Sequence, residues 1–545
     1  MSGSDSPVGG GTRRRWGRDW WAWALAGITL TAGALWQLTA PNGDLYQYRC
    51  FALAFWRGSA GVPHAAGCVG RLPAGVYPAF HVLPREYPPL AIIPFSAPLL
   101  FGGLLNLTLY VLAFNVLMAL CLGATAWLIG RIGVRLGAPN ARLAQGLYVL
   151  WLTLGATTIA LVRFDALPAL LTVVALALAL RPQPASLWSR YAAYALLAVG
   201  ALLKLYPVLF IPLLAAWDWR RRDLPTSDMW RGDGSASAGR RAGLETSGTT
   251  GRHAGSESGG TAEGGMAESG AAAGSAAAGG AATGRWVWLG GPLLAAGVAA
   301  VIQGMGNLVA GAGGVSWLSV QGGRPPQIES TAAGLLWLWQ VALGQGAHIR
   351  AVSVQRSASF VEAPGRALAT ATLALALVAI GWAFVAIAAG ALPPLRGIAG
   401  ATLALLGGAA IFSPQYLVWA IPLVALAVLP PPPAPPPGGE GRAEGRAEGR
   451  AEGLLVGGMK RCDMLLIALW SVVCVCTTII YSVGYLLGWP AHTGGVLAGF
   501  MLLVLARDTL VWVCAGLLLW PSARFMGRTF RAPLDETAFL NDTKK

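Results

Sequence analysis

The sequence predicts an all-α fold, a polytopic helical membrane protein with about 12 transmembrane helices and one short re-entrant or interfacial helix. Three observations carry that expectation. Hydrophobic residues make up 55% of the 545 and charged residues 12%, where soluble domains carry roughly 25% charge. Apolar runs long enough to span recur along the chain, since a hydrocarbon core of about 30 Å takes about 20 helical residues. The Lys and Arg that give a formal charge of +15 gather beside the ends of those runs. Basic flanks of this kind set topology, so the charge does not call for nucleic acid as a partner.

The first run, 20–40, follows "RRRWGRDWW", in a basic tail over 1–19. It is too long for a cleaved leader and lacks a small-residue cleavage site, so it reads as a retained signal anchor. Runs at 107–130, 142–160, 164–181, 186–203 and 205–219 complete an N-terminal module, 20–219, whose first outer loop is 41–106. Within that loop 88–104 begins "YPPLAIIPFSAP". Its prolines and Gly102-Gly103 favour a short re-entrant or interfacial helix over a full span. The middle module, 286–430, holds runs at 286–310, 365–388, 396–412 and 414–430 and a large outer loop, 311–364. A C-terminal hairpin, 462–520, holds 463–488 and 493–519 and precedes a cytoplasmic tail, 521–545.

Charge tests the assignment of 88–104. If that segment does not cross, "RRRWGR", "RIGVRLGAPNAR", "RPQPASLWSR", "WDWRRRD", "PPLR", "GMKR" and "RFMGRTFR" all fall on one face, the cytoplasmic one. If it crosses, most of them lie outside. The twelve-span count follows.

Two segments interrupt the spans. Residues 220–285, rich in Gly, Ala and Ser from 231 to 284, and 431–461, with a proline tract and "GRAEGRAEGRAEG", bury too little apolar surface to offset their ordering entropy. Both are expected to be disordered cytoplasmic linkers. "RGD" at 231–233 and the glycines of "GMGNLVAGAGG" are then composition, and no strand precedes that glycine run to make it a nucleotide loop. Of the seven cysteines, Cys50 and Cys68 share the first outer loop and could pair there. No Cys/His cluster has zinc spacing, and His64 and His81 take no assigned role.

Polar residues outside the linkers and basic flanks converge on the outer face. Asp44 opens the first outer loop beside Tyr46 and Tyr48, and Arg85 and Glu86 close it. Arg163 and Asp165 lie in one outer turn, Lys204 in another, Arg324 and Glu329 in the loop 311–364, and Gln415 in the next turn. Singly, each fits a snorkelling cation or an interfacial belt, as do Tyr46, Tyr48 and Tyr206. Together they contradict the scarcity of cations expected on an outer face, and a shared outer cavity accounts for them. A carboxylate there can accept a proton from an attacking hydroxyl. Lys and Arg can hold a phosphate or diphosphate and stabilise its charge as it leaves. This set suits transfer of a group from an anionic lipid carrier.

The order "GDLYQYRCFALAFWRG", "EYPPLAIIPFSAPLL", "RFDALPALLTVVALALAL", "ALLKLYPVLFIPLL", "RPPQIES" and "FSPQYLVWAIPL" resembles the integral-membrane glycosyltransferases of the GT-C superfamily. Within it the sequence is most similar to glycosyltransferase family 87, the polyprenyl-phosphate-mannose-dependent mannosyltransferases of the DUF2029 type. The resemblance covers most of the chain apart from linkers and tails. It implies a multi-pass protein of the cell membrane with an extracytoplasmic active site. The implied donor is a polyprenyl-phosphate sugar, the acceptor a glycolipid or glycan, and the partners membrane lipids. Asp44 matches the family's acidic general base in an inverting displacement. Lys204, Arg163 and Arg324 are the implied phosphate ligands, and Tyr46, Tyr48, Arg85, Glu86, Asp165, Glu329 and Gln415 further substrate contacts. Some related enzymes pair two acids in the first loop around a divalent metal. Here Asp44 has no acidic neighbour before Glu86, so no cofactor is expected, a divalent metal being the alternative. The competing classes are a multi-pass transporter or lipid flippase, and a non-catalytic envelope assembly protein.

Overall fold

A computed structural model of the chain describes residues 43–221, 287–429 and 461–521, apart from short gaps within them and a few isolated positions before residue 43. The proposed signal anchor falls almost entirely outside the described residues. The two linkers, apart from Arg220, Arg221 and Arg461 at their ends, most of the C-terminal tail and His64 also lie outside them. What is described is helical, apart from a two-stranded antiparallel hairpin pairing Val352–Val354 with Ser357–Ser359.

Thirteen helices carry the argument. They are α1 (Gly43–Arg57), α2 (Leu107–Arg135), α3 (Ala141–Ala156), α4 (Ala166–Ala179), α5 (Leu187–Leu203), α6 (Phe210–Arg221), α7 (Val287–Ala310), α8 (Thr331–Ala342), α9 (Ala363–Ala388), α10 (Pro394–Gly408), α11 (Leu417–Ala427), α12 (Arg461–Thr478) and α13 (Gly495–Leu519). Five are long and apolar enough to cross a membrane: α2, α7, α9 from Pro364, α12 extended to Gly484, and α13. The chain is a helical membrane protein, and its helices from α2 onward fall, within a few residues, on the apolar runs of the sequence, α8 excepted.

The remaining apolar helices are short. The 14 residues of α4, 15 of α10 and 11 of α11 give lengths of about 17–23 Å at about 1.5 Å per residue, less than a hydrocarbon core of about 30 Å. These short helices form the middle of the bundle. Every residue of α11 is buried, as a helix apolar on all sides must be, and α2, α3, α4 and α10 pack around it. Prolines explain where the short helices stop. "KLYP", "SPQY" and "EYPP" each place Pro at the start of a 3₁₀ turn, Tyr206–Leu209, Pro414–Tyr416 and Pro89–Ala91. Pro cannot continue a preceding helix but its fixed φ suits the next one. Lys204, Gln415 and Glu86 occupy those breaks.

Two loops hold more structure than expected. The segment 41–106, read as a loop around one short helix, begins with the 15-residue α1, and Cys50 on α1 is disulfide-bonded to Cys68. The loop 311–364 contains α8, capped by Ser330, whose hydroxyl accepts from Ala333 N at 3.2 Å. Both helices are too short to cross alone, so apolar run length did not reveal them. The segment Pro89–Phe101 is the broken, short helix its prolines predict, divided into two 3₁₀ turns around a five-residue α-turn.

Polar side chains are sorted by end. Arg135, Arg190, Arg220, Arg221 and Arg396 belong to one end of the bundle, where Arg135 and Arg221 cap the carbonyls of Ala177 and Ala179 and Arg396 meets Asp463 at 3.0 Å. The residues singled out above belong to the opposite end.

Candidate functional site

The site begins at α1. Asp44 lies in the first turn, where a carboxylate is favoured by the helix dipole whatever else it does. Tyr48 follows one turn later on the same face. The helix is fixed by its disulfide, by Arg49 Nε donating to Gly103 O at 3.0 Å, and by Tyr48 stacked on Phe95 at 4.1 Å between ring centres. Arg163, from the turn before α4, reaches into this face. Its Nη2 lies 2.5 Å from Asp44 Oδ2, and its Nη1 donates to the hydroxyls of Tyr48 and Tyr87, both at 3.3 Å. Burial opposes the charge of Arg163, but Asp44 and the two tyrosines outweigh it and hold its pKa well above the ordinary arginine value. Burial likewise raises the phenols of Tyr48 and Tyr87, which stay protonated as donors and acceptors.

Tyr87 connects this group to the next. Lys204 Nζ sits 5.7 Å from the Tyr87 ring centre and 5.1–5.4 Å from those of Phe164, Tyr416 and Trp419, four rings around one ammonium. Nζ donates to Asp165 Oδ1 at 2.6 Å, and Trp419 Nε1 donates to the same oxygen at 2.6 Å. Burial lowers the pKa of Lys204, and Asp165 works against that shift. Beside Tyr87, Glu86 Oε2 pairs with Arg324 Nη2 at 3.2 Å. Arg324 and Arg163 both lie within electrostatic reach of the Tyr416 hydroxyl. The neighbouring Gln415 is buried, and its Oε1, like Asp165 Oδ2 and Arg163 Nε, has no hydrogen-bond partner among the described residues.

Asp44, Tyr48, Glu86, Arg163, Asp165, Lys204, Arg324 and Gln415 therefore share one locality, from six segments far apart in sequence. Chemically it offers three carboxylates, three cations and several buried polar atoms still able to bond. Arg85 is exposed and stands apart. Tyr46 lies beside Arg49 and influences that residue's charge. Tyr48 and Tyr206 are buried and do not belong to an interfacial belt.

Glu329 belongs to an adjoining cluster whose key residues the sequence reading missed. In the middle of α13, Arg507 and Asp508 are wholly buried. Arg507 Nε and Nη2 both bond Asp508 Oδ1 at 2.8 Å, Nη2 also donates to the Glu329 carbonyl, and the guanidinium lies 4.1 Å from the Phe412 ring centre. Thr331 Oγ1 donates to Gly407 O at 2.6 Å and contacts Asp508 Oδ2 at 3.3 Å. Tyr481 OH donates to Phe412 O at 2.7 Å. These bonds satisfy carbonyls left free where α10 ends and brace the turn that carries Gln415 and Tyr416. Burial pushes the Glu329 carboxyl up to about 8. The signal was present in "LARDTL": two charges inside an apolar run are costly unless partnered within the protein.

Comparison with known proteins finds no matching family model, no matching curated protein and no matching solved structure.

Proposed function

We propose that the chain is a polytopic membrane glycosyltransferase that moves a hexose, mannose by the family resemblance, from a polyprenyl-phosphate donor to a glycolipid or glycan acceptor. On this proposal the twelve apolar segments are spans and the site faces the extracytoplasmic side. One observation carries it: Asp44, Arg163 and Lys204, chosen from separate segments, meet around Tyr87 at the end of the bundle opposite the basic helix ends.

The reaction is a single inverting displacement. The acceptor hydroxyl attacks the anomeric carbon, the C1–O bond to phosphate breaks, and polyprenyl phosphate departs with the bonding electrons. Asp44 takes the hydroxyl proton. Lys204 and Arg324 hold the phosphate oxygens and their growing charge. Arg163 orients Asp44 from Oδ2 and offers Nε towards the same anion. The breaks at Lys204 and Gln415 end helices shorter than the hydrocarbon core, so the site is recessed, which suits a donor whose prenyl chain stays in lipid. Gln415 Oε1 and Asp165 Oδ2 are placed to accept sugar hydroxyls.

The test is purified protein in lipid, given a panel of polyprenyl-phosphate sugars, with products read by mass spectrometry. Transfer from one donor is expected, with loss of at least about a hundredfold in an Asp44→Asn variant that keeps its fold. Full activity in that variant would remove Asp44 as the base. Inactivity with every donor, together with passage of a solute or lipid across the bilayer, would replace the enzyme by a transporter or flippase.

A further inference from the structure

Each cation of the site already faces a carboxylate. Arg163 lies 2.5 Å from Asp44, Lys204 donates to Asp165 at 2.6 Å, and Arg324 lies 3.2 Å from Glu86. A phosphate entering the site must displace at least one of these acids from its cation, and the three pairs do not yield alike. Asp165 is 1% exposed and the same oxygen also accepts from Trp419, so its departure would strand a buried ammonium among aromatic rings. Asp44 lies in the first turn of α1, and the Arg163 facing it is fixed by the hydroxyls of Tyr48 and Tyr87. Glu86 differs from both. Its side chain is 34% exposed, it lies on a bend outside any helix, and 3.2 Å is longer than the about 2.7–2.9 Å of a well-made bond between ionised groups.

The two members of this third pair are fixed differently. The chain just after Arg324 is tied down, because Pro326 O accepts from Phe360 N at 3.2 Å and Gln327 N donates to Ala410 O at 2.9 Å. Arg324 therefore stays at the site whatever Glu86 does. Turning the Glu86 side chain into water takes only a change of rotamer, and a partly exposed ion pair contributes little. The pair also borders the Lys204 cage. Glu86 acts electrostatically on Tyr87 and Arg324 on Tyr416, and both of those rings stand against Lys204. A phosphate offers the guanidinium fork several acceptor oxygens where Glu86 brings one to 3.2 Å. The exchange thus favours an anion that can reach Arg324 beside the cage, and it gives an uncharged lipid nothing.

We propose that Glu86 is a placeholder for the phosphate of a prenyl-phosphate ligand: it holds Arg324 while the site is empty and turns out into water when that phosphate arrives. The inference rests on the transferase reading, but its test measures binding and needs no turnover. Full-length protein in neutral detergent at fixed ionic strength is titrated with farnesyl phosphate, farnesol or inorganic phosphate, and Kd is read by calorimetry. Glu86→Gln is expected to bind farnesyl phosphate about two- to fivefold more tightly than wild type, the equivalent of one exposed ion pair no longer competing. Glu86→Ala gives the same reading if the glutamine variant fails to fold. Arg324→Gln is expected to weaken binding about tenfold or more, as for one lost charge-assisted bond. In the Arg324→Gln background the gain from Glu86→Gln should vanish, which a general change in the site's field would not produce. Farnesol should bind wild type and Glu86→Gln alike. Unchanged or weaker binding of farnesyl phosphate by both Glu86 variants overturns the proposal while leaving the transferase reading in place, as does a gain that survives without Arg324 or that farnesol shares. Inorganic phosphate binding as tightly as farnesyl phosphate overturns the lipid as the source of the anion. Binding of farnesyl phosphate by none of the proteins overturns the transferase reading and the placeholder with it.

Discussion

Arg163 shows why single substitutions at the site need a partner variant. Asp44→Asn removes its carboxylate but leaves the bonds to Tyr48 and Tyr87, so a stability loss of about 1–3 kcal/mol is expected, the range for a bond to a charged group. Adding Arg163→Gln removes the stranded charge. The double variant is expected to regain part of that stability in thermal unfolding and none of the transfer activity, which separates the chemical role of Asp44 from its structural one. Glu329 behaves differently, because its carboxyl is raised to about 8 from an ordinary 4.5. The folded protein then holds a proton that the unfolded chain releases above about 4.5, so this group's contribution to stability falls as pH rises from there to about 8 and is level beyond. Glu329→Gln is expected to abolish that slope, gaining at most on the order of 5 kcal/mol over wild type at pH 8.5 and little at pH 4.5. Unfolding of both proteins across that range checks it, and parallel curves would show that Glu329 ionises normally. Asp44 was visible in the sequence as an acid leaving an apolar run. Its pairing with Arg163 was not, since 119 positions separate them.

Between elements, α10 ends in close contact with α9. Thr372 Oγ1 donates to Gly408 O at 3.1 Å, and a Cβ on Gly408 would lie 2.5 Å from both Thr372 O and Ala376 Cβ. Gly408→Ala must therefore push α9 and α10 apart, with an expected cost of about 1–3 kcal/mol from overpacking. Because α10 leads into the turn bearing Gln415, the same change should weaken donor binding more than it slows the bound complex. A KM increase with kcat nearly unchanged is the expected result, and an unchanged Tm would show that the joint yields freely. The helices of this bundle were legible because each central one is an uninterrupted apolar run bounded by Pro or a basic flank. The exceptions, α1 and α8, are short and partly polar, and their burial depends on neighbours: α1 on the segment Pro89–Phe101 and its disulfide, α8 on α9 and α13.

At the scale of the molecule, long helices surround short ones, and charge is sorted to opposite ends. Cys462, exposed and free near the basic end, reports on orientation without any added group. A membrane-impermeant maleimide is expected to label it in inverted vesicles and not in sealed right-side-out ones; labelling from the outside would reverse the proposed sidedness. By itself, the sequence determined that this is a helical membrane protein and where most of the described helices begin and end. Those properties follow from local hydrophobicity, proline and charge, which act through neighbouring residues. Only the tertiary structure decided that Arg163 is held by Asp44, that four aromatic rings enclose Lys204, and that Arg507 braces the turn before α11. It also separated buried arginines from exposed ones at the basic end. Such outcomes depend on which short helices meet in the middle of the bundle, and a carboxylate's partner is set by distance in space, which run length and composition do not encode.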